Sequence, residues 1–392
     1  MTTRVFSLNC IVPPHMLREI ALRGDPAQRA WAIRTLAVSA RMRGRREVLR
    51  GFGAGAPPGG KRRAVYDARK GYELPGLIVR EEGSAPARDP AVNEAYDGAG
   101  ATYDLYREVF ERDSLDGRGM RLDATVHYGR EYDNAFWDGS QMVYGDGDGR
   151  LFRRFTAAVD VIGHELTHGV VQYEAALDYR GQPGALNESF ADVFGALAKQ
   201  HSLGQTAKEG DWVIGRGLFT EKVRGEGIRS MKAPGSAYDD PVLGRDPQPA
   251  HMKEYVETDE DGGGVHINSG IPNHAFYRVA TALGGHAWER AGRIWYVALR
   301  DRLRRNSGFE RAAALTLEVA EDLFGAASEE ARTVRRGWEG VGVEAGARPA
   351  RRLRGSREPV ATAGRVMGSA PLPRTETAAV RPRRGSRRRR RT

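Results

Sequence analysis

The hydrophobic pattern of this 392-residue chain changes its period near residue 158. Before that point, alternating apolar and polar residues predict strands at 64–68 (AVYDA), at 122–129 (LDATVHYG) and within 138–149, where an Asp/Gly turn follows. After it, apolar residues recur at helical spacing. The helices predicted there cover 159–175, 187–201, 271–283, 286–304 and 308–325. The pattern therefore predicts an α+β fold of two lobes with a cleft between them.

Two further segments flank these lobes. Residues 12–50 predict helices after a Pro-Pro pair, with Asp25 as an N-cap and Pro26 in the first turn. The Gly- and Pro-rich stretch at 51–63 predicts a flexible linker that proteases can reach. We divide the chain into five parts: a leader (1–50), this linker (51–63), a strand-rich lobe (64–158), a helical lobe (159–343) and an Arg-rich tail (344–392). The tail has too little apolar content to fold.

Composition is that of a globular protein, with 40% hydrophobic and 29% charged residues. No apolar run approaches the roughly 20 residues of a membrane helix, and the N-terminus does not resemble a secretory signal peptide. We leave the compartment open between a cytoplasmic precursor and secretion by a non-standard route.

The net charge of +10 is unevenly placed. Residues 1–50 carry ten Arg against three acids, and 345–392 carry fifteen Arg against two Glu, which leaves −10 for 51–344. The basic leader could dock on the acidic lobes, or its charge could simply be solvated. The tail could bind nucleic acid or an anionic surface nonspecifically, or it could be an appendage without a partner.

The segment VIGHELTHGVVQY, residues 161–173, places two histidines four residues apart. Residues i and i+4 share one face of a helix, so His164 and His168 can point at one metal ion. Glu165 lies about 100° further around the helix, where it can reach a water at the metal without binding the metal itself. H-E-x-x-H is the pattern of zinc proteases. A pattern this short also occurs by chance, so a third ligand is needed to support it.

A catalytic zinc takes three protein ligands. The continuation that places a third histidine after a glycine fails, because valine and glutamate stand at those positions. GALNESFADVFGAL, residues 184–197, instead offers Glu188 on a largely apolar helix, where an unpaired carboxylate is costly. Asn187 and Asp192 on that helix are suited to accept the second ring N–H of each ligating histidine. A further stretch at 262–277 carries His266 at a glycine-rich junction, but spacing alone assigns it no role.

Four motifs occur in order along the chain: NAFWDGSQMVYGDGDG, HELTH, GALNESFADVFG and GGVHINSGIPNHAFY. Together they resemble the thermolysin-like neutral zinc metalloproteases (family M4 type) over about residues 64–343. The N-terminal CIVPPHML is similar to the protealysin-like subgroup, which carries a short propeptide. The resemblance implies a two-lobed thermolysin-like fold with the zinc cleft between the lobes. It also implies a zinc endopeptidase made as a precursor that residues 1–50 inhibit, with processing in 51–63.

The resemblance implies a role for each matching position. The metal ligands would be His164, His168 and Glu188, with Asn187 and Asp192 behind them. The catalytic groups would be Glu165 as general base, with His266 and Tyr179 on the oxyanion side. Substrate would be bound by Asn134 and Ala135 through its backbone and by Arg229, which would hold Glu188 and a substrate carbonyl. The apolar pocket for the residue after the cut would be lined by Phe152, Phe155, Val161 and Ile228.

The resemblance also implies a double calcium site, and here the chain departs from the pattern. Asp160 and Asp211 are in place, but other ligand positions hold Lys199, Val213 and Arg216. Calcium needs several oxygen ligands, which two cations cannot supply. We therefore predict that this double site is absent and that Lys199 pairs with Asp160; calcium elsewhere is left open.

Cys10 is the one cysteine of the chain and lies beside the Pro-Pro pair. Because a thiolate is a strong zinc ligand, Cys10 could be a switch on the zinc in the precursor; it could equally be a small buried hydrophobe.

Two other functions fit parts of the sequence. A gluzincin aminopeptidase would need a site for a free amine, and a nucleic-acid-associated or envelope-bound protein would make the metal site incidental. The full catalytic set favours an endopeptidase, which we expect to act as a monomer on peptide or protein substrates.

Overall fold

The computed structural model of the chain describes residues 10–49 and 60–346. The tail predicted for 344–392 lies outside the described residues from 347 onward, and residues 51–59 of the segment predicted to carry the processing site, 51–63, also lie outside them. Within the described part, no helix has both the length and the apolar content that crossing a membrane requires.

The leader forms two helices, α1 (Pro14–Arg23) and α2 (Pro26–Leu49). The predicted cap between them is present, since Asp25 Oδ1 accepts hydrogen bonds from the backbone N–H groups of Ala27 and Gln28 at 2.9 and 3.0 Å. Apolar residues of α1 and of the segment before it are buried in the same hydrophobic core as residues of both lobes. The leader is thus packed as part of the molecule.

The strand-rich lobe contains one five-stranded sheet in the order β2-β1-β3-β5-β4. Its strands are β1 (Arg63–Asp67), β2 (Leu77–Glu81), β3 (Leu122–Val126), β4 (Ala135–Trp137) and β5 (Met142–Tyr144). β1, β3 and β5 run parallel, and β2 and β4 pair antiparallel at the two edges. β4 therefore has one side open to another extended chain.

A long helix of this lobe, α3 (Pro90–Asp104), was not predicted from the sequence. Its sequence, PAVNEAYDGAGATYD, buries mainly alanines, glycines and two tyrosines, so it lacks the large aliphatic residues that mark helical periodicity.

The helical lobe begins with α4 (Val159–Tyr173) and α5 (Gly181–Leu203), which are buried against each other along most of their lengths. Gly195 permits this contact, because a Cβ atom at that position would lie 2.4 Å from the Asp160 carbonyl oxygen. The close approach of the two helices brings the residues of HELTH and NESFAD together.

The remaining helices are α6 (Asp261–Asn268), α7 (Gly270–Leu283), α8 (Ala291–Val297), α9 (Phe309–Phe324) and α10 (Glu329–Glu339). Short strand pairs lie between α5 and α6: β6 (Val213–Ile214) with β7 (Arg229–Ser230), and β8 (Asp239–Asp240) with β9 (Gly244–Arg245). The helix predicted at 286–304 is shorter, since α8 passes into a wider turn at Ala298–Arg302. α10 was not predicted. The two-lobed α+β fold is confirmed.

Candidate active site

Three buried side chains of α4 and α5 meet at one point. The Nε2 atoms of His164 and His168 lie 3.1 Å apart, and they lie 3.5 and 3.4 Å from the Glu188 carboxylate. All three side chains are at most 1% exposed. Ligand atoms of the three residues lie within 4.8 Å of one another, so they form a group that can hold one metal ion.

The chemistry of this group fits zinc. Two imidazoles and one carboxylate are an established set for catalytic zinc, which leaves a fourth position for water or substrate. The Glu188 Oε2 atom is buried and accepts no hydrogen bond from the residues that the structure describes. A buried carboxylate oxygen in that state is costly without a cation. This orphaned oxygen, aimed at two imidazole nitrogens, is what a bound zinc would satisfy.

Hydrogen bonds behind the imidazoles fix their orientation. His164 Nδ1 lies 2.7 Å from Asp192 Oδ1, and His168 Nδ1 lies 2.9 Å from Asn187 Oδ1. Because both partner atoms accept, each Nδ1 carries the proton and each Nε2 is left with its lone pair toward the metal position. Asn187 and Asp192 are thus where the sequence predicted them.

Glu165 lies on the same helix turn as the histidines and is buried. Its Oε2 accepts a hydrogen bond from the Trp137 backbone N–H at 3.0 Å. Trp137 belongs to β4, so the edge strand of the sheet positions the carboxylate of the helical lobe.

His266 and Tyr179 lie on another side of the Glu188 carboxylate. The Tyr179 hydroxyl donates to Glu188 Oε1 and lies 3.1 Å from His266 Nε2. Asp261, which the sequence analysis did not single out, accepts from His266 Nδ1 at 2.7 Å and from its backbone N–H at 2.9 Å. Both contacts fall within α6, at the end of its glycine turn.

The glycine turn explains this placement. Gly262, Gly263 and Gly264 have φ values of 64°, 90° and 69°, a left-handed conformation that favours glycine. The turn folds Asp261 back onto His266. Burial would lower the pKa of His266, but Asp261 and then Glu188 raise it to about 9. The Asp261 carboxylate therefore favours the protonated form of His266, in which Nε2 is a donor.

Arg229, on β7, differs from its predicted contacts. Its Nε and Nη2 atoms donate to the two oxygens of Asp192, each at 2.8 Å, rather than to Glu188. A planar guanidinium matches a carboxylate in this two-pronged geometry, and Asp192 is the carboxylate that faces it. Burial would lower the pKa of Arg229, but Asp192 outweighs this and raises it. The remaining Nη1 donates to the Ile11 carbonyl of the leader at 3.0 Å.

Residues 10 to 12 of the leader lie on the open edge of β4. Cys10 pairs antiparallel with Phe136, and the Ile11 N–H donates to the Ala135 carbonyl at 3.3 Å. The Asn134 side chain holds Val12 twice, accepting from its N–H at 2.9 Å and donating to its carbonyl at 3.2 Å.

The leader also reaches the oxyanion side of the site. The Cys10 carbonyl lies 3.1 Å from His266 Nε2. Asn134, Ala135, Arg229 and His266, all predicted to bind substrate or its oxyanion, thus contact the leader backbone.

The Cys10 thiol does not reach the metal-binding group, contrary to the switch hypothesis. Its Sγ lies 3.9 Å from Ser39 Oγ of α2, and the side chain packs in a small cluster with Tyr128, Tyr132 and Phe136. In an antiparallel pairing with β4, the carbonyl of this residue turns to the site and its side chain turns elsewhere. The alternative interpretation, a small buried hydrophobe, describes its surroundings.

The four predicted pocket residues are buried in the main core, which also contains Ile11 and Val12. They are Phe152, Phe155, Val161 and Ile228, each at most 1% exposed. The Phe152 and Phe155 rings lie 5.7 Å apart.

Lys199 lies in a cluster of charged side chains at the position of the predicted missing calcium site. Its Nζ lies 2.6 Å from Asp160 Oδ2, 2.9 Å from Asp211 Oδ2 and 3.2 Å from the Val213 carbonyl. Arg216 Nε donates to the same Asp211 oxygen at 2.9 Å. The predicted Lys199–Asp160 pair is present.

Family models match nearly all of the two lobes. The thermolysin metallopeptidase catalytic domain matches residues 60–172, and the thermolysin metallopeptidase alpha-helical domain matches residues 175–343.

Similar proteins extend this likeness to the leader. An extracellular metalloprotease of Pectobacterium carotovorum subsp. carotovorum is 50% identical over 342 residues, 85% of this chain and 96% of that protein. Protease PrtS of a Photorhabdus species is 53% identical over 285 residues, 72% of this chain and 76% of its own length. Among solved structures, the precursor of protealysin, a metalloproteinase from Serratia proteamaculans, matches with a TM-score of 0.79 and 51% identity. That match covers 86% of this chain and 99% of that one. With its fold, its metal-binding group and these relatives, the chain belongs to the thermolysin family of metallopeptidases and is a metalloendopeptidase.

Proposed function

We propose that this chain is the precursor of a zinc endopeptidase that hydrolyses peptide bonds on the amino side of apolar residues. In this proposal residues 1–50 are an inhibitory propeptide, 51–63 carry the processing site, and 64–158 and 159–343 are the two catalytic lobes. The observation that carries it is the path of residues 10–12, whose backbone contacts His266, Arg229, Ala135 and Asn134 beside the metal-binding group.

His164, His168 and Glu188 would hold the zinc. When bound, the ion supplies Lewis acidity that lowers the pKa of water and polarises the scissile carbonyl. Glu165 would act as the general base, accepting the proton of the attacking water and passing it to the leaving amine. The Trp137 N–H bond at 3.0 Å supports this role because it fixes one carboxylate oxygen.

His266 and Tyr179 would donate hydrogen bonds to the oxyanion as it forms. Donors of this kind typically contribute about 3–4 kcal/mol each to transition-state stabilisation. The Asp261 carboxylate, which accepts from His266 Nδ1 at 2.7 Å, favours the protonated imidazole that can donate from Nε2. Burial, followed by the charge of Glu188, raises the pKa of Tyr179 well above its ordinary value, so that its hydroxyl also remains a donor.

The leader would occupy the cleft as a substrate does. The Cys10 carbonyl takes the place of the scissile carbonyl, beside His266. Ile11 then stands for the residue after the cut, with its N–H on Ala135 and its carbonyl on Arg229. Ile11 is fully buried, which supports an apolar preference at this position.

Latency would follow from this occupation. A substrate cannot pair with β4 or Arg229 while the leader does so. An intramolecular inhibitor needs no thiol on the zinc, so steric blocking replaces the Cys10 switch. Since relatives of this chain are named extracellular, we also propose that the enzyme acts outside the cell that makes it.

We further propose that the double calcium site is absent. The Lys199 ammonium has three N–H donors, and it has three oxygen partners: Asp160, Asp211 and the Val213 carbonyl. A fixed cation would thus neutralise the carboxylates that calcium would otherwise bridge.

The chemistry is tested with blocked internal peptides that differ only in the residue after the cut, offered to the processed enzyme. We expect cleavage before Leu, Ile or Phe and little before Asp or Lys. Glu165→Gln, which keeps the size of the side chain, should bind zinc and lose hydrolysis, typically by a factor of 10²–10⁴. Asp240→Asn is a control, because among the described residues this buried carboxylate accepts from the backbone N–H groups of Arg224, Val242 and Leu243 and from no group of the active site. Equal hydrolysis by Glu165→Gln and the wild type would refute the general-base assignment.

A further inference from the structure

The Asp192 carboxylate connects the metal-binding group to the substrate-binding arginine. Its Oδ1 accepts from His164 Nδ1 at 2.7 Å and from Arg229 Nη2 at 2.8 Å. Its Oδ2 accepts from Arg229 Nε at 2.8 Å. A rotation of this carboxylate would move the imidazole and the guanidinium together.

A fourth donor completes this set and was missed by the sequence analysis. Asn273, in the first turns of α7, is fully buried, and its Nδ2 donates to Asp192 Oδ2 at 2.8 Å. Because an ionised carboxylate only accepts, the amide must present its NH₂ group to Asp192. Each carboxylate oxygen then has two donors.

The state of the amide oxygen indicates that the contribution of Asn273 is its Nδ2 donor. Asn273 Oδ1 is buried and accepts no hydrogen bond from the residues that the structure describes. An unsatisfied buried acceptor destabilises a fold, and an apolar residue of similar size would avoid that cost. The amide therefore does not serve packing alone.

We propose that Asn273 is a positioning residue that acts through Asp192 on both His164 and Arg229. By holding Oδ2, the oxygen that the imidazole does not contact, it keeps the carboxylate in the one rotation that serves both partners. It thereby couples zinc retention to binding of the carbonyl after the cut. This inference rests on the proposed function.

Three substitutions separate this role from packing. Asn273→Asp keeps the shape but replaces the donor by a second carboxyl group facing Asp192. Asn273→Ala removes the donor and leaves space, and Asn273→Ser keeps a hydroxyl donor in a smaller side chain. Asn268→Ala is the matched control, since Asn268 is also a fully buried asparagine, and within the described part of the chain its amide bonds the backbone N–H and carbonyl of Val256.

The primary measurement is the rate at which the zinc-loaded full-length chain loses zinc to a chelator. We expect Asn273→Asp to lose zinc faster by a factor on the order of ten. This is the low end of the effects seen for residues that hydrogen-bond metal ligands. Loss should be smaller for Asn273→Ala, smaller still for Asn273→Ser and unchanged for Asn268→Ala. In the processed enzymes, kcat/KM for a blocked peptide should fall in the same order.

The opposite ranking would overturn the proposal. If Asn273 only fills space, Asn273→Ala must be the worst variant and the isosteric Asn273→Asp the mildest. If Asn273→Asp does not fold, the comparison of Asn273→Ser with Asn273→Ala decides. Equal rates of zinc loss from these two variants contradict a donor role. The wild-type chain separates the two levels of inference: its zinc content and its Glu165-dependent hydrolysis test the proposed function whatever the Asn273 variants do.

Discussion

Removing the Lys199 charge should destabilise the protein far more than removing its exposed neighbour Arg216. Lys199→Met would leave Asp160, only 1% exposed, without its cation. Burial would lower the pKa of Lys199, but the Asp160 charge outweighs this and raises it, so the ammonium is charged at neutral pH. The substitution therefore leaves a buried carboxylate without a cation to neutralise it.

The magnitude follows from the burial of the partners. Breaking a buried pair by removing one member typically costs about 3–5 kcal/mol. Arg216→Met breaks contacts with Asp211 and Glu226 on a side chain that is 47% exposed, where pairs contribute about 0–1 kcal/mol. For a chain of this size, the Lys199 variant should unfold roughly 4–7 °C lower.

Thermal and urea unfolding in a Glu165→Gln background, which prevents self-digestion, would measure this difference. Any stabilisation by added calcium should be the same with and without Asp211→Asn, because the Lys199 ammonium already meets the carboxylates of this cluster. The reasoning fails if Lys199→Met and Arg216→Met lose the same small free energy of unfolding, or if Asp211→Asn removes a stabilisation by calcium that the protein with Lys199 in place shows.

Three further predictions concern the leader and the partly exposed cluster of His127 with Asp89 and Asp146. Burial lowers the pKa of His15 to about 4, and its ring lies 3.3 Å from the Tyr238 hydroxyl. Because this pKa is below that of a free histidine, His15 stabilises docking of the leader above pH 6.5. This contribution is lost as the pH falls toward 4. The uncleaved precursor should therefore gain peptidase activity between pH 7 and 5 relative to a His15→Gln precursor, and parallel profiles would contradict this. Hydrogen bonding to Asp146, against an opposing effect of burial, raises the pKa of His127 to about 9. His127→Gln should lower the free energy of unfolding by roughly 1–3 kcal/mol at pH 6, and the two proteins should converge above pH 9; a gap independent of pH would argue against it. Cys10→Ser should leave the uncleaved precursor as inactive as the wild type, and activity without cleavage would restore the thiol switch.

Residues whose contacts follow from helical spacing were placed well from the sequence. His164, His168 and Glu165 share one turn of a predicted helix, and Glu188, Asn187 and Asp192 share another. The α4 and α5 helices needed only to approach each other for the group to form. The ion pair of Lys199 with Asp160 could also be predicted, because the family resemblance places Lys199 at a calcium-ligand position shared with Asp160.

The contacts that sequence reasoning missed depend on tertiary placement. Asn273 and Arg229 converge on Asp192 from α7 and β7, elements that follow it by 81 and 37 residues. Local patterning carries no signal for such a meeting, and the guanidinium was assigned to the wrong carboxylate. Asp261 could have been found, since a glycine run between an acid and a histidine marks a chain that folds back on itself.

The most direct test of the account is hydrolysis of a blocked peptide with leucine after the cut, measured before and after cleavage in residues 51–63. We predict that the intact precursor is inactive, that cleavage and loss of the leader release activity, and that Glu165→Gln or a zinc chelator abolishes it. Full activity of the intact precursor, or activity of the processed enzyme that survives both Glu165→Gln and the chelator, would contradict it.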